Sequence, residues 1–286
     1  MNRMASSSSR GMMILVAIVA SSFDVALSDG DVAGPSFSYN TKSFAGPENW
    51  GKLSPAYKAC GEGKAQSPID IVTANAIPNP SLDNLTREYT PADATLNNNG
   101  KEITMTFEDH NGNIVSPGTI LDTTADGTIK AFGFKMIQWH SPSEHSIDGR
   151  RFPLEAHLVH ESADGDFAII GILYKMGNHD AFYDQLKGKL RELQKAPHVA
   201  TGLLELRSLE KRTGSYFRYM GSLTTPPCTE NVVWNILGKV REISAEQLGL
   251  LTALKPHKDN RPLQPLNGRP VEFYNPPNST ISFRNI

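Results

Sequence analysis

Short β-branched and aromatic runs, separated by turn residues, recur along this chain and are what most limits the folds open to it. They are Ala94-Thr-Leu96, Glu102-Ile-Thr-Met-Thr-Phe107, Ile129-Lys-Ala-Phe-Gly-Phe134, Leu154-Glu-Ala-His-Leu-Val-His160 and Phe167-Ala-Ile-Ile-Gly-Ile-Leu-Tyr174. Side chains on a strand alternate between two faces, so runs of this length and composition predict strands. Helical spacing is confined to two segments. Asp180 to Leu193 sets Phe182, Leu186, Leu190 and Leu193 on one face behind a capping Asp180, and Ser244 to Leu254 is a second helix with its own cap. Helices so few and short among so many strands predict a mainly β, β-dominated α+β domain, a mostly antiparallel sheet with peripheral helices. No linker, internal repeat or low-complexity block interrupts residues 37–283, which predicts a single domain there.

The first 28 residues read as a signal peptide. Arg3 and Arg10 form a basic flank, the apolar run Gly11 to Ala20 follows, and Ala26-Leu27-Ser28 has the small-x-small form of a cleavage site. The apolar run falls well short of the ~20 residues that span a bilayer. No later stretch is long enough either, so a secreted protein without a membrane span is expected, extracellular or apoplastic, with a chloroplast reached through secretion as a further destination. The 28 Lys+Arg and 30 Asp+Glu give a net charge of −2 without a long run of either sign. That balance excludes nucleic acid and anionic membrane surfaces as partners. Oligomeric state leaves no signature.

Cys60 and Cys228 are the only cysteines. In an oxidising compartment an isolated pair more often bridges than stays as two thiols, and these two lack the CxxC spacing of a redox or metal pair. Closing a loop of that length stabilises by about 5 kcal/mol in the chain-entropy model. Asn84-Leu-Thr86 and Asn278-Ser-Thr280 are glycosylation sequons, marking a secreted glycoprotein.

Residues two apart on a strand share a face, so Gln138 projects with His140, and Glu155 with His157 and Val159. Two neighbouring strands can therefore converge on one ion. A catalytic zinc takes three protein ligands and keeps one position open for water, and a ligating imidazole needs a carboxylate or carbonyl to orient its other nitrogen. Glu155 is a natural supplier. By spacing alone this is weak, because eight histidines will often fall on strands as satisfied core groups.

A wider set of segments is specific. Tyr39, Gly46-Pro-Glu-Asn-Trp50, Gln66-Ser-Pro-Ile-Asp70, Asn98-Asn-Gly100, Trp139-His-Ser-Pro-Ser-Glu-His145, Leu154 to His160, Tyr219 to Glu230 and Asn260-Arg-Pro-Leu-Gln264 together resemble the α-class carbonic anhydrases of the secreted plant type, in the family's order. The resemblance implies a large twisted sheet, zinc, CO2 and bicarbonate as substrates, and a Cys60–Cys228 disulfide as in extracellular members. It implies His140 and His157 as zinc ligands and Glu155 as the carboxylate orienting His157. Thr224 matches the threonine that accepts a hydrogen bond from zinc-bound hydroxide and passes its own proton to a buried glutamate, here Glu144. Thr225 matches the residue beside bicarbonate, and Val159, Ile169, Leu223, Val232 and Trp234 match the apolar wall that holds CO2. His145, His160, Tyr39 and Trp50 are expected to be structural, and Arg261 to anchor the C-terminal region by an ion pair.

Two departures stand out. The family's strand reads Gln-x-His-x-His, whereas this chain reads Met136-Ile-Gln-Trp-His140, and the first ligand histidine is missing. An ungapped alignment sets Gln138 in the ligand's place as a weak amide donor. A two-residue gap after Gln138, the placement preferred here because it leaves the inside/outside alternation unbroken, makes Gln138 a supporting glutamine and deletes the ligand. At the proton-shuttle position stands Lys101, whose reference pKa of ~10.4 suits that task poorly at neutral pH. The expected function is zinc-dependent reversible hydration of CO2 to bicarbonate and a proton, a carbonate dehydratase (lyase) reaction of one-carbon metabolism, weakened by sub-stoichiometric metal. The alternative is a catalytically impaired carbonic-anhydrase-like binding or storage protein.

Overall fold

Nine strands carry the sheet in the computed structural model, which describes residues 35–109, 112–210, 214–255 and 257–276. The signal segment and the Asn278 sequon lie outside the described residues. The strands are β1 (Ala92–Asn98), β2 (Ile103–Phe107), β3 (Gly118–Thr123), β4 (Ile129–His140), β5 (Leu154–Ser162), β6 (Phe167–Met176), β7 (His198–Leu204), β8 (Tyr216–Ser222) and β9 (Glu230–Leu237). Their order is β7-β1-β2-β4-β5-β6-β9-β8, extended by the short strands Glu272–Tyr274 and Ile77–Pro78, with β3 paired to β4. Neighbours run antiparallel except at β6–β9 and the outer pairing of Glu272–Tyr274 with Ile77–Pro78, and where β6 meets Arg241–Ile243. The described residues form one compact unit.

The central strands are buried on both faces, so their alternation sorts residues between two cores rather than between core and solvent. One face of β4–β6 sends Ile137, Trp139, Leu154, Ala156, Leu158, Ile170 and Ile172 into the larger core. The helix α1 (Ala181–Leu193) closes that core with the apolar stripe read from the sequence, to which Tyr183 adds its hydroxyl as acceptor for Trp139 Nε1 at 3.0 Å. Asp180 caps it, its Oδ1 accepting from Phe182 N at 2.9 Å. A second helix, Ala245–Thr252, begins at a Ser244/Gln247 capping box, which satisfies first-turn N–H groups that would otherwise be unpaired. The opposite face of β4–β6 carries His140, Glu155, His157, Val159 and Ile169. There the apolar residues join Leu173, Trp234 and Ile236 in a second core.

A third cluster forms below the chain's start. Phe37, Tyr39 and Trp50 meet edge to face, with Trp50 Nε1 donating to the Ser38 and Ala45 carbonyls. Cys60 and Cys228 pack here as a disulfide. Arg261 anchors the C-terminal region, but through neutral oxygens and not by the expected ion pair. Its guanidinium donates to Gln66 Oε1, Ser67 O and Cys60 O at 2.8–3.0 Å and lies over the Trp50 ring. No carboxylate among the described residues comes within ion-pair distance of that guanidinium.

His160 shows how a polar group is held in the larger core. Its Nδ1–H donates to Leu158 O at 2.9 Å, its Nε2 accepts from the Tyr89 hydroxyl at 2.8 Å, and Phe134 stacks on the ring. Burial pushes its pKa down to about 3. Between that value and the unfolded ~6.5 the unfolded chain binds one proton more, so stability falls as pH falls through that window, by up to ~1.4 kcal/mol per pH unit. Replacing it by glutamine (His160→Gln), which keeps one donor and one acceptor, is expected to flatten the slope of unfolding free energy between pH 6 and 4 by about one proton, read by urea titration at each pH.

Candidate active site

Glu155 is the hub from which the site is built. It is fully buried on β5, and four N–H groups point at its carboxylate. Oε2 accepts from the backbone N–H of Glu144 and His145, both at 2.8 Å, and Oε1 accepts from His145 Nδ1 at 2.7 Å and His157 Nε2 at 2.8 Å. Burial alone would raise its pKa, but the two imidazoles and these bonds hold it well below the ordinary carboxylate range. Gly171 faces His157 across the β5–β6 ladder, where an added Cβ would lie 3.2 Å from Glu155 Oε1 and 2.5 Å from the Ile236 side chain. Only hydrogen leaves that space to the carboxylate.

The partners fix the tautomers. His145 gives its Nδ1–H to Glu155 and takes the Tyr219 hydroxyl on Nε2 at 2.7 Å, and the Tyr219 oxygen is met by Ser67 Oγ at 2.7 Å. Both nitrogens are committed, so His145 is structural. His157 gives Nε2–H to Glu155, which leaves Nδ1 with a lone pair. His140 gives Nδ1–H to the Asp259 carbonyl at 2.6 Å, which leaves Nε2 with a lone pair, buried and without a hydrogen-bond partner. The two rings sit 4.6 Å apart, centre to centre. Two neutral imidazoles with their lone pairs in one buried space are the donor chemistry a zinc ion takes, so the residues present fit that metal.

Glu144 stands beside them. Its Oε1 accepts from Arg261 N at 2.7 Å, and its Oε2 lies 3.7 Å from His140 Nε2 and 4.0 Å from His157 Nδ1 with no hydrogen-bond partner. Burial raises its pKa to about 7, against the opposing pull of His140, the Thr224 hydroxyl and the Arg261 N–H. Thr224 is buried on the turn after β8, and Thr225 follows half-exposed, its carbonyl accepting from Cys228 N. The disulfide and the bond from Gln66 Nε2 to Cys228 O pin that turn. Val159, Ile169, Val232 and Trp234 are buried in the second core and Leu223 packs against it, so all five residues of the expected wall come together.

Gln138 lies directly opposite His157 in the β4–β5 ladder and two residues before His140 on the same face. The ladder is unbroken there. Its one irregularity falls three residues earlier, where Lys135 is left unpaired between Met136 and Phe134. Gln138 faces His157 in the register that both alignments give, since a two-residue gap keeps the strand's alternation; Met136, facing Val159, packs on the apolar wall. Lys101 is directed elsewhere, its Nζ on Ser36 Oγ at 2.7 Å and over the Phe37 ring, in a cavity of about 260 Å³ shared with Tyr39, Lys255, His257 and Lys258. Asn84 is exposed, its Oδ1 accepting from the Tyr274 hydroxyl. Asp259 escaped sequence reading because it serves His140 through a backbone carbonyl, which any residue would supply. It is held by its own side chain, which bonds Ser141 N and the Lys255 ammonium.

Residues 45–275 match the model of the eukaryotic-type carbonic anhydrases. The chain belongs to that family. It is 39% identical over 249 residues to alpha carbonic anhydrase 7 of Arabidopsis thaliana, covering 84% of this chain and 85% of the relative. It is 36% identical over 277 residues to dioscorin DB3L of Dioscorea polystachya, covering 95% and 96%. Among solved structures, a dioscorin complexed with ascorbate superposes with a TM-score of 0.78 at 35% identity, over 85% of this chain and all of that one. The large mixed sheet with few short helices is that of the family.

The hub makes a prediction of its own. Exchange of the carboxylate for an amide (Glu155→Gln) puts an NH2 group among N–H donors, and leaving a buried N–H without its acceptor costs about 1–3 kcal/mol. Chemical denaturation of the metal-free protein is expected to show a loss of that order, and zinc affinity to fall by about 10–100-fold. Unchanged stability would mean that the four bonds are dispensable.

Proposed function

We propose that this chain is an α-type carbonic anhydrase catalysing zinc-dependent, reversible hydration of CO2 to bicarbonate and a proton, with turnover below that of members with three histidine ligands. The observation that carries the reading is the pair of unprotonated imidazole nitrogens, His140 Nε2 and His157 Nδ1, facing one buried space beside an apolar wall. Zinc, when bound, supplies a Lewis acid that makes a water acidic near neutral pH.

The chain's own residues do the rest. Glu155 and the Asp259 carbonyl hold the two imidazoles in the tautomer that presents a lone pair. Thr224 stands near Glu144, the carboxylate that would take its hydroxyl proton and so leave its oxygen to accept from the reacting oxygen. Val159, Ile169, Leu223, Val232 and Trp234 offer CO2 a surface without hydrogen-bonding groups, as a linear apolar substrate requires. Thr225 sits beside Thr224 at the mouth, in the position for bicarbonate. The weakness lies at Gln138, which brings a neutral amide oxygen where relatives of this class bring an imidazole, and at Lys101, whose ammonium is tied to Ser36. The Cys60–Cys228 bridge and the exposed Asn84 sequon support work in the secretory pathway, at the cell exterior.

Purified, zinc-supplemented protein is expected to carry less than one zinc per chain and to hydrate CO2 slowly. Restoring the imidazole (Gln138→His) is expected to raise zinc affinity by more than the 10–100-fold typical of supporting groups, and hydration with it. Full occupancy with fast turnover in the unmodified protein, by metal analysis and stopped-flow CO2 hydration, would overturn the reading. The absent histidine also favours a second one, a carbonic-anhydrase-like binding or storage protein. Zinc uptake without any gain in hydration in the Gln138→His variant would select it.

A further inference from the structure

We propose that Glu144 supplies the protein donor left open by the missing histidine, so that His140 Nε2, His157 Nδ1 and Glu144 Oε2 form a two-imidazole, one-carboxylate site for a divalent cation; this rests on the reading that the imidazole pair binds metal. The starting point is an unpaired set of acceptors. The Asp259 carbonyl takes the His140 Nδ1 proton and Glu155 takes the His157 Nε2 proton, so each ring turns a lone pair inward. Glu144 Oε2 meets both, at 3.7 and 4.0 Å, and no donor reaches it. Acceptors gathered in one buried space, two of them without any hydrogen-bond partner, are unfavourable unless a cation or a proton is shared among them.

The geometry suits a cation. Zinc–nitrogen and zinc–oxygen bonds of about 2.0–2.1 Å in a tetrahedron set donor atoms roughly 3.4 Å apart. The three atoms here all lie within 4.8 Å of one another, and the two distances to the carboxylate, 3.7 and 4.0 Å, need to shorten by about 0.3 and 0.6 Å. Two imidazoles and one glutamate are a donor set that zinc adopts elsewhere with a fourth position open. Glu144 is free to serve because its other oxygen alone holds the Arg261 N–H, which fixes the carboxylate without using Oε2. Gln138 competes poorly. It is half-buried, brings no charge, and makes no hydrogen bond among the described residues that would orient its amide.

The test is a chelator-competition titration of the metal-free, full-length protein with zinc and cobalt, on the wild type and on the Glu144→Gln and Gln138→Ala variants, with circular dichroism as the check on folding. The glutamine variant keeps an oxygen for Arg261 N while withdrawing the charged donor. Expected is at least a tenfold loss of affinity in Glu144→Gln and less than a threefold change in Gln138→Ala. Zinc X-ray absorption on the unmodified protein gives a second readout that needs no variant, with two imidazoles and a carboxylate oxygen in the shell as the expected result. Wild-type affinity in a folded Glu144→Gln protein, or a shell without carboxylate, overturns this proposal while leaving the metal reading intact. Absence of any zinc or cobalt binding by the wild type overturns both.

Discussion

A single buried carboxylate organises this site. An ionised group with no access to water is tolerated only when its charge is met by donors, and Glu155 meets four. Each donor then does something else. The two backbone N–H groups fix the turn after β4, and with it the place of the Glu144 side chain. His157 is turned so that its free nitrogen faces His140. His145 passes the constraint on to Tyr219 and Ser67, whose Oγ in turn accepts from Ser222 N, two residues before Thr224. Thus the turn bearing Thr224 and the strand bearing the imidazole are tied to the same carboxylate.

The fold is nearly indifferent to what stands at position 138. Strand register is set where burial is complete, and on β4 that is the other face, where Ile137 and Trp139 sit in the larger core and Trp139 Nε1 is tied to Tyr183. Residue 138 shares its face with His140 but is only half-buried, so an imidazole can give way to an amide without shifting a pair. Metal chemistry and folding are separable here for a physical reason: different faces of the same strand carry them. This explains how a chain can retain Glu155, Thr224, the apolar wall and the disulfide after losing a ligand.

Much of this was legible in the sequence. The five runs rich in β-branched and aromatic residues lie within β1, β2, β4, β5 and β6, and the Asp180 cap and apolar stripe gave α1 to within a residue. Less visible were β7, β8 and β9. In Tyr216–Ser222 an arginine, a glycine and a serine interrupt the apolar pattern because the strand lies between β9 and Glu272–Tyr274 and its polar groups find partners there, such as Arg218 with Glu272. Of the site residues named by family likeness, His140, Glu144, Glu155 and His157 lie together and the five wall residues share one core, while Lys101 points elsewhere; two further contacts at the site carry no sequence signature. The Asp259 carbonyl is backbone, and the unpaired oxygen of Glu144 is defined by what fails to reach it. Arg261 misled because its charge suggested a carboxylate partner, whereas the two terminal nitrogens of its buried guanidinium donate to carbonyl and amide oxygens and the group lies over the Trp50 face, with Nε left unpaired.

Charge decides how a carboxylate donor would differ from the imidazole it replaces. A neutral histidine leaves a divalent ion with its full charge, while a glutamate cancels one unit of it inside a site that water does not screen. The grip tightens, and the ion's pull on a neighbouring water weakens with the same cancellation. Arg261 stands close enough to Glu144 for each to feel the other's charge, although burial still lowers the arginine's pKa to about 10, and Lys255 is paired with Asp259 on the far side of His140. Burial nonetheless outweighs these pulls and raises the Glu144 pKa to about 7, so a cation bound there would stand in for a proton. In that reading metal retention and turnover would be opposed quantities: the carboxylate that would keep an ion in place without the third imidazole would also make it a poorer acid catalyst.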